Sequence, residues 1–170
     1  MTVRRLVLLR HAKAEPGRDE VPDEMRPLAT NGRKQAGGVG KTFSAAGLAP
    51  ELALVSTALR TRQTWDLLAK HLDGPQGEVR LEPELYEASV ADVLELVRSV
   101  ADGVRTVLVV GHEPTMAATA AHLAGPGSDD AALAQVRVGV PTATYSVLES
   151  EDAWADWGRS RARLLTVTRP

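Results

Sequence analysis

The sequence predicts a single domain of the α/β class over residues 1–170, with a mostly parallel central sheet in a three-layer α/β/α sandwich. Apolar runs of four or five residues, too short for helices, recur along the chain, most clearly at residues 6–9 and 106–110. Segments with apolar residues at helical spacing lie between such runs, which favours parallel strands with helices on both faces of the sheet. The length suits one domain with a full hydrophobic core.

Apolar spacing and helix-breaking residues predict the elements of the first half of the chain. A strand over residues 6–9 leads to Arg10, and residues 15–27, with three prolines and many charges, are expected to form an exposed loop. Thr30 or Asn31 can cap the helix that follows this loop. The next predicted elements are a helix over residues 32–46, a strand over 52–55 and a helix over 58–72.

The second half continues the alternation of strands and helices. Residues 80–82 predict a short strand, and Ser89 with Asp92 forms a capping box at the start of an amphipathic helix. Residues 128–141 give no clear pattern. The remaining predicted elements are a strand over residues 106–110, a helix over 114–123, and two strands over 142–148 and 163–168. The last two strands allow one antiparallel pair.

Composition excludes several classes of function. A net charge of −2 argues against a general nucleic-acid-binding protein, which would carry a strong basic excess. The chain has no cysteine, so disulfides, thiol nucleophiles and thiolate metal sites are excluded. No apolar stretch is long enough to span a bilayer or to serve as a signal peptide. We therefore expect a cytoplasmic protein that binds neither nucleic acid nor membrane.

Basic side chains follow three of the predicted strands. Arg10 and His11 come directly after the first strand, Arg60 lies at the start of the helix after the second, and His112 follows residues 106–110. Because the carboxyl ends of parallel strands meet at one edge of a sheet, these side chains are expected to converge there. A permanent cation beside an imidazole suits a nucleophile for an anionic substrate. The pattern predicts a pocket for a dianionic phosphoryl group.

Three sequence blocks carry a resemblance to a known family. They are Leu-Arg-His-Ala at residues 9–12, Ser-x-x-x-Arg-x-x-Gln-Thr at 56–64, and Val-Gly-His-Glu-Pro at 110–114. Together they resemble the signature blocks of the histidine phosphatase (phosphoglycerate mutase-like) superfamily. Residues 26–32, Arg-Pro-Leu-Ala-x-Asn-Gly, further resemble the SixA branch of bacterial phosphohistidine phosphatases. The resemblance implies a phosphoglycerate mutase-like fold and a phosphatase activity.

The same resemblance implies a role for each matching residue. His11 would be the nucleophile that takes the phosphoryl group and becomes a phosphohistidine. Arg10, Arg60 and His112 would hold the three equatorial phosphoryl oxygens as their charge redistributes. Arg26 would add a phosphate contact from the first loop. The resemblance calls for no metal ion and no cofactor.

One catalytic group of the larger family members has no clear counterpart in the sequence. Those enzymes use a glutamate to protonate the leaving oxygen, and Glu84 and Glu87 are the candidates for such a general acid. Their surroundings resemble the SixA branch, in which this acid is not evident. A phosphorylated imidazole leaves more readily than an alkoxide, so a missing acid favours phosphohistidine over a sugar phosphate as substrate.

The preferred hypothesis is therefore a phosphatase for phosphohistidine on a protein partner. A phosphatase of small-molecule phosphomonoesters is an alternative, which an effect of Glu84 or Glu87 on ester hydrolysis would favour. A third hypothesis is a non-catalytic module that recognises phosphorylated partners through Arg10 and Arg60. In each case leaving-group recognition is expected in the loops at residues 15–27 and 125–141.

Overall fold

The computed structural model of the chain describes residues 2–170. The strands of these residues form one six-stranded sheet, comprising β1 (Arg4–Arg10), β2 (Leu52–Ser56), β3 (Glu78–Glu82), β4 (Thr106–Gly111), β5 (Tyr145–Ser150) and β6 (Arg163–Thr168). Their spatial order is β3-β2-β4-β1-β5-β6. The first four strands are parallel, and β5 is antiparallel to both of its neighbours, β1 and β6. The predicted mostly parallel sheet is confirmed.

Helices cover both faces of the sheet, which gives the predicted three layers. They are α1 (Thr30–Ala46), α2 (Leu59–Ala69), α3 (Val90–Arg98), α4 (Thr115–Leu123) and α5 (Asp130–Val138). The apolar side chains of β1 alternate between two cores, because successive strand residues point to opposite faces. Leu6 and Leu8 pack in the core with α3, α4 and α5, whereas Val7 and Leu9 pack in the core with α1 and α2.

The register of the sheet brings the ends of three strands to one level. Leu9 of β1 and Val55 of β2 both pair with Val110 of β4, the central strand of the three. The backbone amide of His11 then donates a hydrogen bond to the carbonyl oxygen of Gly111 at 3.1 Å. The residues that follow β1, β2 and β4 therefore meet at the carboxyl edge of the sheet, as their sequence positions predict.

Two local predictions are wrong, and one helix was not predicted. The N-cap of α1 is Ala29, whose amide donates to the carbonyl oxygen of Lys13 at 2.9 Å, so a tertiary contact replaces a side-chain cap at Thr30 or Asn31. Residues 130–138 form α5, a helix that the sequence pattern does not reveal. Residues 142–144 are not part of β5, because Ala143 adopts a φ of 58° and turns the chain before the strand begins.

Among the helices over residues 2–170, none has both the length and the apolar character that a membrane crossing needs.

Gly32 permits α1 to approach the chain that follows β1. A Cβ atom at residue 32 would lie 1.9 Å from the carbonyl oxygen of Lys13. We expect Gly32→Ala to lower the free energy of unfolding by roughly 2–4 kcal/mol, although alanine is the better helix former. Gly37→Ala in the same helix is the control, because its Cβ would meet His71 at an ordinary 3.4 Å. The free energy of unfolding of both variants is measured in urea. Equal losses in Gly32→Ala and Gly37→Ala would contradict this explanation.

Candidate active site

Two histidines lie side by side at the carboxyl edge of the sheet. The ring centroids of His11 and His112 are 5.4 Å apart, with the rings tilted at 58°. His11 follows β1 and is 8% exposed, and His112 follows the adjacent strand β4. Arg60, in the first turn of α2, is 6% exposed and also comes to this edge. The predicted convergence of Arg10, His11, Arg60 and His112 is present in the structure.

The hydrogen bond of His11 identifies its tautomer. Its Nδ1 lies 2.7 Å from the carbonyl oxygen of Ala12, and a carbonyl oxygen can only accept, so Nδ1 carries the proton. A neutral His11 then has an unprotonated Nε2 with a free lone pair. The amide of Ala12 donates to Oγ1 of Thr64 in α2 at 3.0 Å, which holds the peptide that orients the ring. His11 thus has the protonation pattern of a nitrogen nucleophile.

The surroundings of His11 keep its ring neutral. Burial lowers its pKa to about 4, and the positive charges of Arg60 and Arg10 act in the same direction. The hydrogen bond to Ala12 opposes this shift without cancelling it. At neutral pH the lone pair on Nε2 is therefore available.

His112 is held neutral by similar causes. Burial lowers its pKa to about 3, helped by His11 and Arg60 and opposed by Asp23. Its Nε2 lies 2.9 Å from Oγ of Ser56, the last residue of β2. The edge of the Tyr86 ring packs against His112, with ring centroids 5.6 Å apart. These contacts fix the ring and leave its second nitrogen for a ligand.

The two lowered pKa values predict how stability depends on pH. An unfolded histidine takes up a proton near pH 6.5, whereas His11 and His112 do so in the folded state only at about 4 and about 3. The unfolded state therefore binds more protons in this window, so the free energy of unfolding falls as the pH is lowered from 6.5 towards 4. The expected slope reaches about 1.4 kcal/mol per pH unit for each histidine.

Urea unfolding at several pH values between 7 and 4 measures this slope. His112→Asn removes one of the two titrating rings and is expected to make the slope shallower. An identical slope in the wild-type protein and the variant would contradict the lowered pKa of His112.

Arg10 is held at one end of its guanidinium. Its Nη1 donates to the carbonyl oxygen of Val140 at 2.8 Å, and the amide of Val140 donates to Oε2 of Glu113 at 3.1 Å. Oε1 of Glu113 accepts from the amide of Ala117 in α4 at 2.8 Å. The buried Nε of Arg10 has no hydrogen-bond partner within residues 2–170. Arg4 and Arg62 share this feature, so it is the positive charge of Arg10 beside His11 that makes its guanidinium a candidate phosphoryl contact.

Arg60 has the same feature. Its Nη1 donates to the carbonyl oxygen of Asp23 at 2.9 Å, and its Nη2 donates to Oδ2 of Asp23 at 3.1 Å. Its Nε is buried and, in the described part of the chain, unpaired. Arg10 and Arg60 therefore place two permanent positive charges beside the histidine pair, and guanidinium groups suit the binding of phosphoryl oxygens.

Arg26 approaches the site from the loop rather than from the sheet. Its Nε donates to Oδ1 of Asp23 at 2.9 Å, and its Nη1 donates to the carbonyl oxygen of Glu15 at 2.7 Å. The positive charge of Arg26 contributes to the lowered pKa of His11. Arg26 thus lies within electrostatic range of His11 and binds Oδ1 of Asp23, whereas Arg60 binds Oδ2.

The two glutamates proposed as general acids lie elsewhere. Glu84 lines a surface groove with Asp92 and Glu95 of α3, and its carboxyl group raises the pKa of Glu82. Glu87 is exposed and makes no side-chain hydrogen bond within residues 2–170. The structure does not bring either carboxyl group to the two histidines. Tyr86, which lies between them in sequence, packs there instead.

Sequence reasoning missed Asp23 and Tyr86. The hydroxyl of Tyr86 donates to Oδ2 of Asp23, the oxygen that also accepts from Arg60. This hydrogen bond and the two arginines hold the pKa of Asp23 below its usual range, and the same bond raises the pKa of Tyr86 to about 12. No local pattern marks either residue, because the loop brings them together from positions 63 residues apart.

Comparisons with known proteins agree with this geometry. A sequence model of the histidine phosphatase superfamily (branch 1) matches residues 6–99. An uncharacterised protein of Mycobacterium tuberculosis is 41% identical over 150 residues, which cover 87% of this chain and 90% of that protein.

Two solved structures resemble the whole chain. One, assigned provisionally as the phosphohistidine phosphatase SixA of Nakamurella multipartitia, is 35% identical with a TM-score of 0.85 and covers 100% of this chain and 98% of its own. The other, with the same provisional assignment in Agrobacterium tumefaciens, is 30% identical with a TM-score of 0.82 and covers 98% of each chain. The chain thus belongs to the histidine phosphatase superfamily and has its phosphoglycerate mutase-like fold.

Proposed function

We propose that the chain is a metal-independent phosphatase that works through a phosphohistidine on His11 and removes phosphoryl groups from phosphohistidine on a protein. The observation that carries this proposal is the unprotonated Nε2 of His11, at the same sheet edge as the guanidinium groups of Arg10 and Arg60, whose positive charges act on His11. A nucleophile and two cationic donors are the minimum that metal-free phosphoryl transfer requires.

In the first step, the lone pair on Nε2 of His11 attacks the phosphorus atom. The bond from phosphorus to the leaving nitrogen breaks, and its electron pair stays on that nitrogen. Arg10, Arg60 and His112 contact the three equatorial oxygens, where charge redistributes in the transition state. Two permanent positive charges balance the dianionic phosphoryl group, and this is the electrostatic role that a metal ion has in other phosphoryl-transfer enzymes.

In the second step, a water molecule attacks the phosphorus of the phosphohistidine on His11. The bond to Nε2 breaks and its electrons return to the ring, which restores the neutral nucleophile. The proton lost by the water ends on the phosphate that leaves. Because the same oxygens are held in both steps, one set of donors serves both transition states.

The positions of Glu84 and Glu87 support a phosphohistidine substrate. An alkoxide leaving group needs an acid beside it, and neither carboxyl group is at the histidine pair. An imidazole can leave without such an acid, because its second nitrogen already carries or readily takes a proton. The SixA assignment of two similar structures points to the same substrate class.

The proposal is tested by measuring phosphate release from a phosphohistidine-bearing protein and from a panel of phosphomonoesters, in the presence of excess EDTA. Release from the phosphoprotein is expected to persist with the chelator and to disappear in His11→Ala. Release from esters alone would overturn the substrate assignment and support the small-molecule alternative. No release from either, with phosphate binding retained in both proteins, would favour the non-catalytic module.

A further inference from the structure

Asp23 places a carboxylate at the mouth of the candidate phosphoryl site. Its side chain is 51% exposed, whereas that of its partner Arg60 is 7% exposed. Oδ1 accepts from Arg26, and Oδ2 accepts from both Arg60 and Tyr86. Asp23 also acts electrostatically on His112, whose pKa it raises against the other influences. The carboxylate is therefore close to the histidine pair and on its open side.

The direction of phosphoryl transfer brings the leaving group towards this carboxylate. The attacking nitrogen and the leaving atom lie roughly in line on opposite sides of phosphorus. His11 is 8% exposed and lies at the bottom of the site, so the leaving group must point out to solvent. Asp23 and Tyr86 border that exit, and Tyr86 contacts both His112 and Asp23.

The carboxylate of Asp23 is ionised at neutral pH, because its hydrogen-bond donors hold its pKa below the usual range. Its Oδ2 accepts from Nη2 of Arg60, and the backbone carbonyl oxygen of Asp23 accepts from Nη1. Three hydrogen-bond donors to its oxygens favour the ionised form. An ionised carboxylate cannot protonate a leaving alkoxide, so Asp23 does not replace the missing general acid.

We infer that Asp23 selects substrates by the charge of the leaving group, favouring cationic or N–H-donating groups such as imidazole and disfavouring anionic ones. This inference rests on the proposed function, because it assigns a leaving-group preference to the same site. A negative charge on the leaving group would lie beside the carboxylate and be repelled. A phosphoimidazole that is protonated on its second nitrogen would instead donate that N–H to the carboxylate, and the ring would keep this proton and depart as neutral imidazole when the P–N electron pair returns to it.

Three phosphomonoesters that differ in leaving-group charge test the inference: phosphocholine, glycerol 3-phosphate and 3-phosphoglycerate. Values of kcat/KM for each, and for phosphohistidine, are compared in the wild-type protein and in Asp23→Asn. The wild type is expected to prefer phosphocholine to 3-phosphoglycerate. Asp23→Asn should reduce that preference about tenfold, the effect of one unit charge at a partly exposed site.

Asp19→Asn is the matched control. Asp19 lies on the same loop, is exposed, and makes no side-chain hydrogen bond within the described residues, so the same change of charge should leave the preference unaltered. A uniform fall for all substrates in Asp23→Asn would mean that Asp23 only positions Arg60 and Arg26, which overturns the inference and leaves the proposed function intact. A charge preference equal in the wild type and Asp23→Asn would also overturn it.

Failure of the proposed function has a different signature. If the wild type hydrolyses no phosphohistidine but does hydrolyse esters, the preference among the three esters still tests Asp23. If nothing is hydrolysed, the dissociation constants of the same esters, measured by calorimetry, supply the comparison. The quantity compared is the ratio of the dissociation constants of 3-phosphoglycerate and phosphocholine. A change of about tenfold in this ratio between the wild type and Asp23→Asn supports the inference, and an unchanged ratio overturns it.

Discussion

Phosphate release is expected to fall by about 10⁴-fold or more when His11 is replaced by alanine, because no other group in the site can form the covalent intermediate. Nε2 of His11 has a free lone pair because Nδ1 donates to Ala12. His112, the neighbouring ring, has its Nε2 beside Ser56, and its proposed role is to contact an equatorial oxygen rather than to attack phosphorus. The loss should appear in kcat, since Arg10 and Arg60 still bind phosphate.

The intermediate itself can be trapped. Mass spectrometry of the wild-type protein, quenched during turnover, is expected to show one added phosphoryl group on the peptide that contains His11. The same experiment on His11→Ala should show none. His122→Ala is the control, since His122 lies on α4 away from the site and should retain both activity and the phosphorylated peptide. Thermal unfolding of both variants checks that each is folded, and a phosphorylated peptide in His11→Ala would rule out His11 as the acceptor.

Arg60→Lys is expected to lower kcat by about 10²- to 10³-fold although the positive charge is kept. A lysine presents all its donors from one nitrogen, so it cannot reproduce the two hydrogen bonds of Nη1 and Nη2 to Asp23 and hold a phosphoryl oxygen in the geometry of the guanidinium. The structure gives Nη1 and Nη2 of Arg60 to Asp23 and leaves Nε unpaired. Because lysine keeps the positive charge but not the planar shape of the guanidinium, the fall in kcat measures how much catalysis depends on that shape.

The control for this prediction is Arg62→Lys in the same helix. Arg62 also has a buried Nε without a partner among residues 2–170, but it lines a groove between α2 and β3. Steady-state kinetics and inhibition by orthovanadate would be measured for both variants. Equal losses in the two would indicate a general effect on α2 rather than loss of a phosphoryl contact at Arg60.

Much of the candidate site could be predicted because it is built at strand ends. The apolar runs before His11 and His112 are continuous, so the point at which each strand ends can be read from the chain. Parallel pairing then places both residues at one edge without any knowledge of the loops. Arg60 follows by the same rule, since α2 begins three residues after β2.

The remainder depended on tertiary contacts that have no local sequence pattern. Asp23 meets Arg60 and Tyr86 because of the path of the loop, and its own neighbours in sequence say nothing about that path. The helix α5 buries only Ala132 and Val136, too few apolar residues to produce a recognisable stripe. The start of α1 is fixed by a contact with Lys13, which overrides the capping preference of Thr30 and Asn31.

The position of β1 between β4 and β5 has a consequence for how the protein is made. Arg10 and His11 are synthesised more than a hundred residues before Ala143 and Thr144, but the amide of Arg10 donates to the carbonyl oxygen of Thr144, and the carbonyl oxygens of both accept from the amide of Ala143. A nascent chain that ends at residue 99 therefore has neither strand neighbour of β1. We expect the phosphatase to become active only after β5 has left the ribosome, since non-local contacts complete the site.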